Sequence, residues 1–383
     1  MARSEKNLTA VFTDTASAIR AKTGTTEQIC PLDFADKINS IQTGGTGGGG
    51  GMKAYFEAGG KCPYSNVKSF DDFIKYSDTE NVSNFDSMFM QCKNLVNIPN
   101  IDTSKLRSAN SIFENDKSLK VVDMTINSSI VEYLSDMFKD CSNLETIKIT
   151  CTTQIPRIRC SFMAYNTNKL KTAILNIPKS TDFRYCFSNS GVVSANLGQL
   201  HKQTGESING ITDKYSVDYE RVFENCPNLE NATLDIGSLI EGSSSYVTLD
   251  YAFQITESHE PRTAPLNITF LNADANVIRS FRYAFYNNTN IEVLPAVNCA
   301  RASGLDTAFN GCTNLKELKF YNISYNINLS SCTKMTHDAL VEVLNNLATV
   351  TSTKTCTLGP NNLSKLTDID KAIATGKGWK LAL

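Results

Sequence analysis

The chain has 383 residues, 41% of them hydrophobic and 20% charged, with 37 basic against 39 acidic side chains and a formal net charge of -2. That composition excludes an intrinsically disordered chain, and the balanced charge, with no long single-sign run, excludes an electrostatic footprint for nucleic acid or an anionic membrane surface. Neither an 18-residue apolar run nor a signal-type apolar segment behind MARSEKNLTAVF occurs, so neither membrane insertion nor export is expected.

Residues 4–42 predict two short amphipathic helices. Leu8, Val11, Phe12, Thr15 and Ile19 recur at helical spacing, Gly24 stops that stripe, and Phe34, Ile38 and Ile41 form a second one behind Pro31. So small a unit has little core of its own. Leu8, Val11, Phe12, Ile19, Phe34, Ile38 and Ile41 are therefore candidate attachment residues, packing on copies of themselves or on another protein; the alternative is that they fold back onto the rest of the chain. Residues 43–51, TGGTGGGGG, read as a flexible linker. A phosphate-binding loop would end in Gly-Lys and a hydroxyl residue leading into a helix, which Gly51-Met52-Lys53 does not supply.

From residue 52 to 328 one unit recurs. In MFKDCSNLETIKI, residues 137–149, Phe138, Cys141, Asn143 and Leu144 are followed by alternating apolar residues. The same quartet returns as Phe89, Cys92, Asn94, Leu95; as Phe223, Cys226, Asn228, Leu229; and as Phe309, Cys312, Asn314, Leu315. Phe anchors at 89, 113, 138, 162, 187, 223, 253, 285 and 309 are separated by 24, 25, 24, 25, 36, 30, 32 and 24 residues, a solenoid period with insertions. The long steps contain 197–216, 242–245 and 257–265, expected as loops on one rim. Phe and Leu point inward, the alternating segment adds a strand to a parallel sheet, and the Asn preceding each inward Leu or Ile, Asn290 included, bonds backbone left unpaired at the turn. The Cys slot is expected to hold small buried hydrophobes with reduced thiols rather than disulfides or metal. The units at Phe113 (Asp116 and Ser118 in the Cys and Asn slots), Phe162 (Leu170 eight residues on) and Phe253 (no clear Leu) are expected to be irregular.

Residues 329–383 read as a cap: a helix over 335–350 with Leu340, Val341, Leu344 and Leu347 on one face, a last strand and turn at TCTLGP, and a second helix ending near Gly376.

At Asp102-Thr103-Ser104 followed by Leu106, at Asn81-Val82-Ser83-Asn84, and at the four quartets, the sequence resembles the BspA-like leucine-rich repeats over about residues 70–330. The resemblance implies an α/β repeat solenoid of that class, with a small N-terminal helical attachment segment and a helical C-terminal cap, serving surface binding and adhesion and bringing no catalytic residues. Residues 8–41, above all Ala18-Ile19-Arg20-Ala21-Lys22-Thr23-Gly24, resemble the N-terminal segment of tail-fibre and baseplate proteins of phages infecting Gram-positive bacteria, although Phe12 and Thr13 depart from the usual Ile-Ala. The stretch with Leu358-Gly359, Asn362-Leu363, Lys365-Leu366 and Lys377-Gly378-Trp379 is similar to the end of such repeat proteins. Together these imply a virion component: attachment at 1–42, a hinge at 43–51, a displayed solenoid and a cap.

The residues offer little chemistry. His201, His259 and His337 lack metal-ligand spacing, Cys151 and Cys160 make no zinc ribbon or redox dithiol, and neither a Cys-x-x-Cys nor a Gly-x-Ser-x-Gly elbow is present. Asp71-Asp72 and Asp368/Asp370 are the nearest carboxylate pairs for a glycan hydrolase and read as surface positions. The expectation is a non-catalytic phage structural protein of the tail tip, baseplate or fibre, made in the host cytoplasm and needing no metal or cofactor. Its partners would be other virion proteins at the N-terminal helices, a host-surface protein or glycan, and copies of itself in a homo-oligomer. A head-decorating fibre or a BspA-like bacterial adhesin is the alternative. Tyr165, Tyr185, Tyr246, Tyr283, Tyr286 and Tyr325, outside the anchor slots, and the 197–216 insertion are the candidate recognition surfaces.

Overall fold

The computed structural model describes residues 83–92, 95–96, 98, 102–152, 158–177, 180–197, 216–236, 246–256, 264–273 and 277–383. The expected attachment helices, the glycine linker, Asp71-Asp72, Asn94, His201, His259 and nearly all of the inserted segments lie outside them.

Six strands, β1 (Val121–Ile126), β2 (Thr146–Cys151), β4 (Thr172–Asn176), β6 (Ser194–Asn196), β8 (Asn231–Asp235) and β10 (Asn267–Leu271), form one parallel sheet in the order β1-β2-β4-β6-β8-β10. Alternating residues are buried: Val122, Ile147, Ala173, Ala195, Ala232 and Ile268 share one inward row. Shorter strands, β3 (Ile158–Arg159), β5 (Ser180–Asp182), β7 (Val217–Asp218), β9 (Val247–Thr248) and β11 (Ile278–Ser280), make a second parallel sheet. Single parallel bridges from Asn84 to Ser108, Tyr133 and Arg159 carry that series upstream. Each coil thus runs from a short strand through a double turn to a long strand; the long strands β1 to β10 pair without a register shift, while the short-strand sheet shifts between Ile158 and Arg159 and between Ile278 and Ser280.

The turns lock the register. Backbone N–H groups of Phe113, Phe138, Ala164, Phe187, Phe223 and Phe253 donate to carbonyls of the next coil (Met137, Met163, Cys186, Val222, Ala252 and Ala284) at 2.7–2.9 Å. Ala164, not Phe162, therefore occupies the anchor column, a correction to the spacing read from phenylalanines alone. Phe162 lies two residues earlier, half-buried, at φ 54°. The buried rings stack from Phe89 through Phe113 to Phe138 and again from Phe187 through Phe223, Phe253 and Phe285 to Phe309, with centroids 5.4–5.8 Å apart. Phe89, Cys92, Leu95, Phe138, Cys141, Leu144, Phe223, Cys226, Leu229, Phe309, Cys312 and Leu315 are all buried in this core.

The Cys slot has a chemical role as well as a steric one. Sγ of Cys141, Cys226 and Cys312 donates to the carbonyl of the preceding anchor, Phe113, Phe187 and Phe285, at 3.0, 2.9 and 3.1 Å. Asn288 does the same through Nδ2 to Phe253 O at 2.5 Å. The slot holds a buried donor. All ten cysteines among the described residues are buried, and burial pushes the thiols of Cys332 and Cys356 up to about 12, so they stay protonated and unreactive. The Asn slot is less buried than expected: Asn143 and Asn290 reach Lys117 O and Ala264 O of the preceding coil at 2.6 and 3.2 Å, but Asn228 is exposed.

The C-terminal part differs from expectation in detail. After β12 (Val293–Asn298), the short helix α1 (Leu305–Ala308) and β13 (Glu317–Tyr321), parallel pairing continues across residue 328 through β14 (Ile327–Asn328), β15 (Lys354–Thr357) and β16 (Trp379–Ala382). TCTLGP is therefore not the last strand. The first helix, α2 (His337–Asn346), buries Ala339, Leu340, Val343 and Leu344, with Val341 only half-buried. The expected second helix is two, α3 (Gly359–Leu363) and α4 (Asp368–Gly376), because Thr367 and Asp370 form a capping box that starts a new helix. Lys377-Gly378-Trp379 ties the end together. Lys377 Nζ donates to the carbonyls of Leu344, Asn345 and Leu347, Gly378 stands at φ 86° where a Cβ would meet Val350 O at 2.6 Å, and Trp379 Nε1 donates to Ala348 O. Among the described residues no helix is long and apolar enough to cross a membrane.

Candidate functional site

Eight successive coils, up to the one anchored at Phe285, enter the turn through a residue in the left-handed backbone region, whereas the coil at Phe309 enters through α1. The position two before the anchor carries Ser87, Ser111 and Asp136 in the first described coils. In the next five it carries Phe162, Tyr185, Arg221, Tyr251 and Tyr283, at φ 52–57°. A bulky L-residue there costs about 1–2 kcal/mol, which glycine would avoid and asparagine would reduce. Such strain recurring along one ridge marks a candidate site.

Neighbouring coils offset part of that cost by stacking these side chains into a ladder. Phe162 lies on Tyr185 with centroids 4.7 Å apart and rings within 6° of parallel, and Tyr251 lies on Tyr283 at 5.4 Å. Arg221 fills the rung between, its guanidinium 5.5 Å from the Tyr185 centroid and 4.2 Å from that of Tyr251, a cation–π sandwich. Arg282 lies 5.8 and 5.7 Å from Tyr251 and Tyr283. Tyr165 and Tyr286 stand edge-on to Phe162 and Tyr283, both at 5.6 Å. Four of the tyrosines singled out from sequence are thus brought together with four residues outside that set: Arg221, Tyr251 and Arg282, which sequence reasoning missed, and Phe162, which the spacing assigned to the anchor column. Tyr246 and Tyr325 stand elsewhere, under Arg279 at 5.0 Å and Lys354 at 5.6 Å.

Beside the ladder runs a column of amides at the turn's second left-handed position. Asn166 donates to Asp140 Oδ1 at 2.6 Å, Asn225 to Asn189 Oδ1 at 3.1 Å, and Asn189 to the Tyr165 hydroxyl at 3.0 Å. Acidic groups interleave with the arginines. Arg184 grips Asp182 at 2.9 and 3.0 Å, and Arg221 Nη1 meets Glu224 Oε1 at 2.5 Å. Glu224 is nearly buried; burial raises its carboxyl pKa and Arg221 opposes that rise. Arg221→Ala is expected to lower stability by about 2 kcal/mol, because it opens the ladder and leaves Glu224 without its cation. Urea unfolding of the variant beside Arg221→Ala/Glu224→Gln checks this, since the second change should recover part of the loss.

The ridge offers ring edges, hydroxyls and guanidinium groups; the ring faces are largely covered by one another. Among the described residues no group of three or more His, Cys, Asp and Glu side chains gathers as a metal site. His337 bridges two carboxylates, Asp338 at 2.9 Å and Asp370 at 3.1 Å, which raise its imidazole pKa. Asp370, of the carboxylate pair considered for hydrolysis, is committed to capping α4 through Thr367.

The fold and ridge define a parallel-strand repeat protein with a lateral aromatic–arginine ladder. Residues 61–151 match the family described as "Mycoplasma protein of unknown function, DUF285", a match over about a quarter of the chain that supports a repeat-type family. No curated protein matches the chain.

Proposed function

We propose that this chain is a non-catalytic display protein of a phage virion, at the tail tip, baseplate or fibre, and that the ladder of Phe162, Tyr185, Arg221, Tyr251 and Tyr283 is its contact surface for the host. The observation that carries the reading is the run of bulky side chains at five successive left-handed positions, where smaller residues would hold the turn at lower cost. Tyr and Arg are the residue types that concentrate binding energy at protein interfaces. With the ring faces covered, the ladder suits a polypeptide partner better than a sugar that must stack on an open face.

The repeat resembles the BspA-like leucine-rich class, and residues 329–383 are read as a cap in which α2, α3 and α4 cover the end of the core. The resemblance of residues 8–41 to tail-fibre and baseplate segments supports the virion setting, with self-association or docking through Leu8, Val11, Phe12, Ile19, Phe34, Ile38 and Ile41.

Immunogold labelling of intact particles with antibody to the chain is expected to decorate the tail; unlabelled particles overturn the virion reading. The ladder is tested separately. Tyr251→Ser/Arg282→Ser in the full chain is expected to keep its circular dichroism and lose adsorption to host cells by about tenfold. Unchanged adsorption would move the contact surface off the ladder.

A further inference from the structure

The slot three residues after the anchor holds a buried donor in most coils; Thr256, after Phe253, is half-buried and turns its hydroxyl to Asn225 Oδ1. Cys141, Cys226, Asn288 and Cys312 donate to the preceding anchor's carbonyl. Asn362, in the C-terminal part, donates to Leu329 O at 3.0 Å, and Thr167 and Ser190 place buried hydroxyls in the slot, Thr167 donating to its own anchor, Ala164 O, at 2.7 Å. Asp116 stands in that slot with 0% exposure. Its Oδ1 accepts from the backbone N–H groups of Ser118 and Leu119 at 3.0 and 3.3 Å, the pattern of an acceptor closing the turn. Its Oδ2 has no hydrogen-bond partner. A carboxylate can accept but not donate, and a buried oxygen with a full share of charge and no partner is costly.

We propose that Asp116 is a proton-controlled latch: with its proton it is a neutral donor like the Cys and Asn of the other coils, and without it this coil opens. By the register of the other slots, the acceptor that the proton would serve is on the preceding coil, at the Phe89 carbonyl.

The surroundings favour the neutral form. Lys117, the nearest cation, belongs to the same turn, but its Nζ is drawn to Asp140 O at 2.6 Å. From the next coil the facing titratable group is Cys141, whose thiol is kept neutral by burial. Cys92 holds the equivalent slot of the preceding coil and is buried. Burial raises the Asp116 pKa from 3.8 to about 7, against the lowering by the Ser118 and Leu119 N–H groups and by Lys117.

A folded-state pKa above the unfolded one gives stability that is fully present below the unfolded value and lost as pH rises through the folded one. The window runs from about pH 4 to about pH 7, and the latch's contribution falls by up to about tenfold in the folding equilibrium per pH unit within it. The test is thermal melting of the full chain from pH 4.5 to 8.5 beside Asp116→Asn and Asp116→Cys, with hydrogen exchange of peptides from 106–126, corrected for intrinsic rates. Both variants supply a permanent donor. The expected result is that each melts higher than wild type by a margin that widens towards pH 7 and then levels, and that only wild type loses protection in this coil on going from pH 5 to pH 8. Curves parallel to wild type, or two variants that are destabilised at every pH or do not fold, overturn the latch.

Discussion

Phe223→Ala is expected to lower the unfolding free energy by about 3–5 kcal/mol. Phe223 is fully buried, with Phe187 and Phe253 stacked on its two faces at 5.6 and 5.4 Å. Its backbone N–H is fixed to Ala252 O at 2.8 Å, so the coil cannot slide to close the void. Among the described residues one anchor is a natural alanine, Ala164, whereas Phe253 has Phe285 stacked on its far face at 5.6 Å and is held away from the void that Phe223→Ala would open. Because coils contact mainly their neighbours, the loss should also split the transition. Urea unfolding followed by circular dichroism and by exchange of peptides on either side of residue 223 gives both readings. A loss below about 1 kcal/mol would mean that the stack is not what holds the coils together.

Gly191→Ala should be comparably severe, at about 3 kcal/mol or more. In other coils three residues separate the donor slot from the inward Leu, as from Cys141 to Leu144 and from Cys226 to Leu229. Here Ser190 is followed by Val192 after only two, the equivalence being set by Val193 and Ser194 donating to Lys171 O as Glu145 and Thr146 donate to Lys120 O. The shortened chain is pulled against the preceding coil, where a Cβ on Gly191 would fall 2.1 Å from Asn168 O and 2.8 Å from its carbonyl carbon. Both obstacles are backbone, so no rotamer relieves them. Melting temperature and soluble yield of Gly191→Ala against Gly376→Ala, where nothing lies within 4 Å of a Cβ, separate this clash from a general intolerance of substitution. Equal behaviour of the two variants would dismiss it.

The period, the quartets and the alternating strands are legible in the sequence because they arise from burial, which selects residue type directly. Register is legible only where the type is kept. At Phe162 the aromatic spacing points two residues short of the anchor, since a small Ala164 in the anchor column gives no signal; the backbone bonds place it. Two of the five ladder residues, Tyr185 and Tyr283, are visible as tyrosines outside the anchor slots, but Arg221 and Tyr251 are not, because nothing in a side chain announces a left-handed backbone. Aligning the residue two before each anchor would have shown the column. The split between α3 and α4 is also written in the sequence, in Thr367 and Asp370, although the apolar run around them reads as one helix.

Ten buried thiols, spaced from Cys92 to Cys356, give this stack a coil-by-coil clock. A thiol reagent added to the native protein can label a given cysteine only while its own coil is open, so the labelling rates at Cys92, Cys141, Cys226 and Cys312 rank the local opening of successive turns without any engineered probe. The chain reports its own weakest joint.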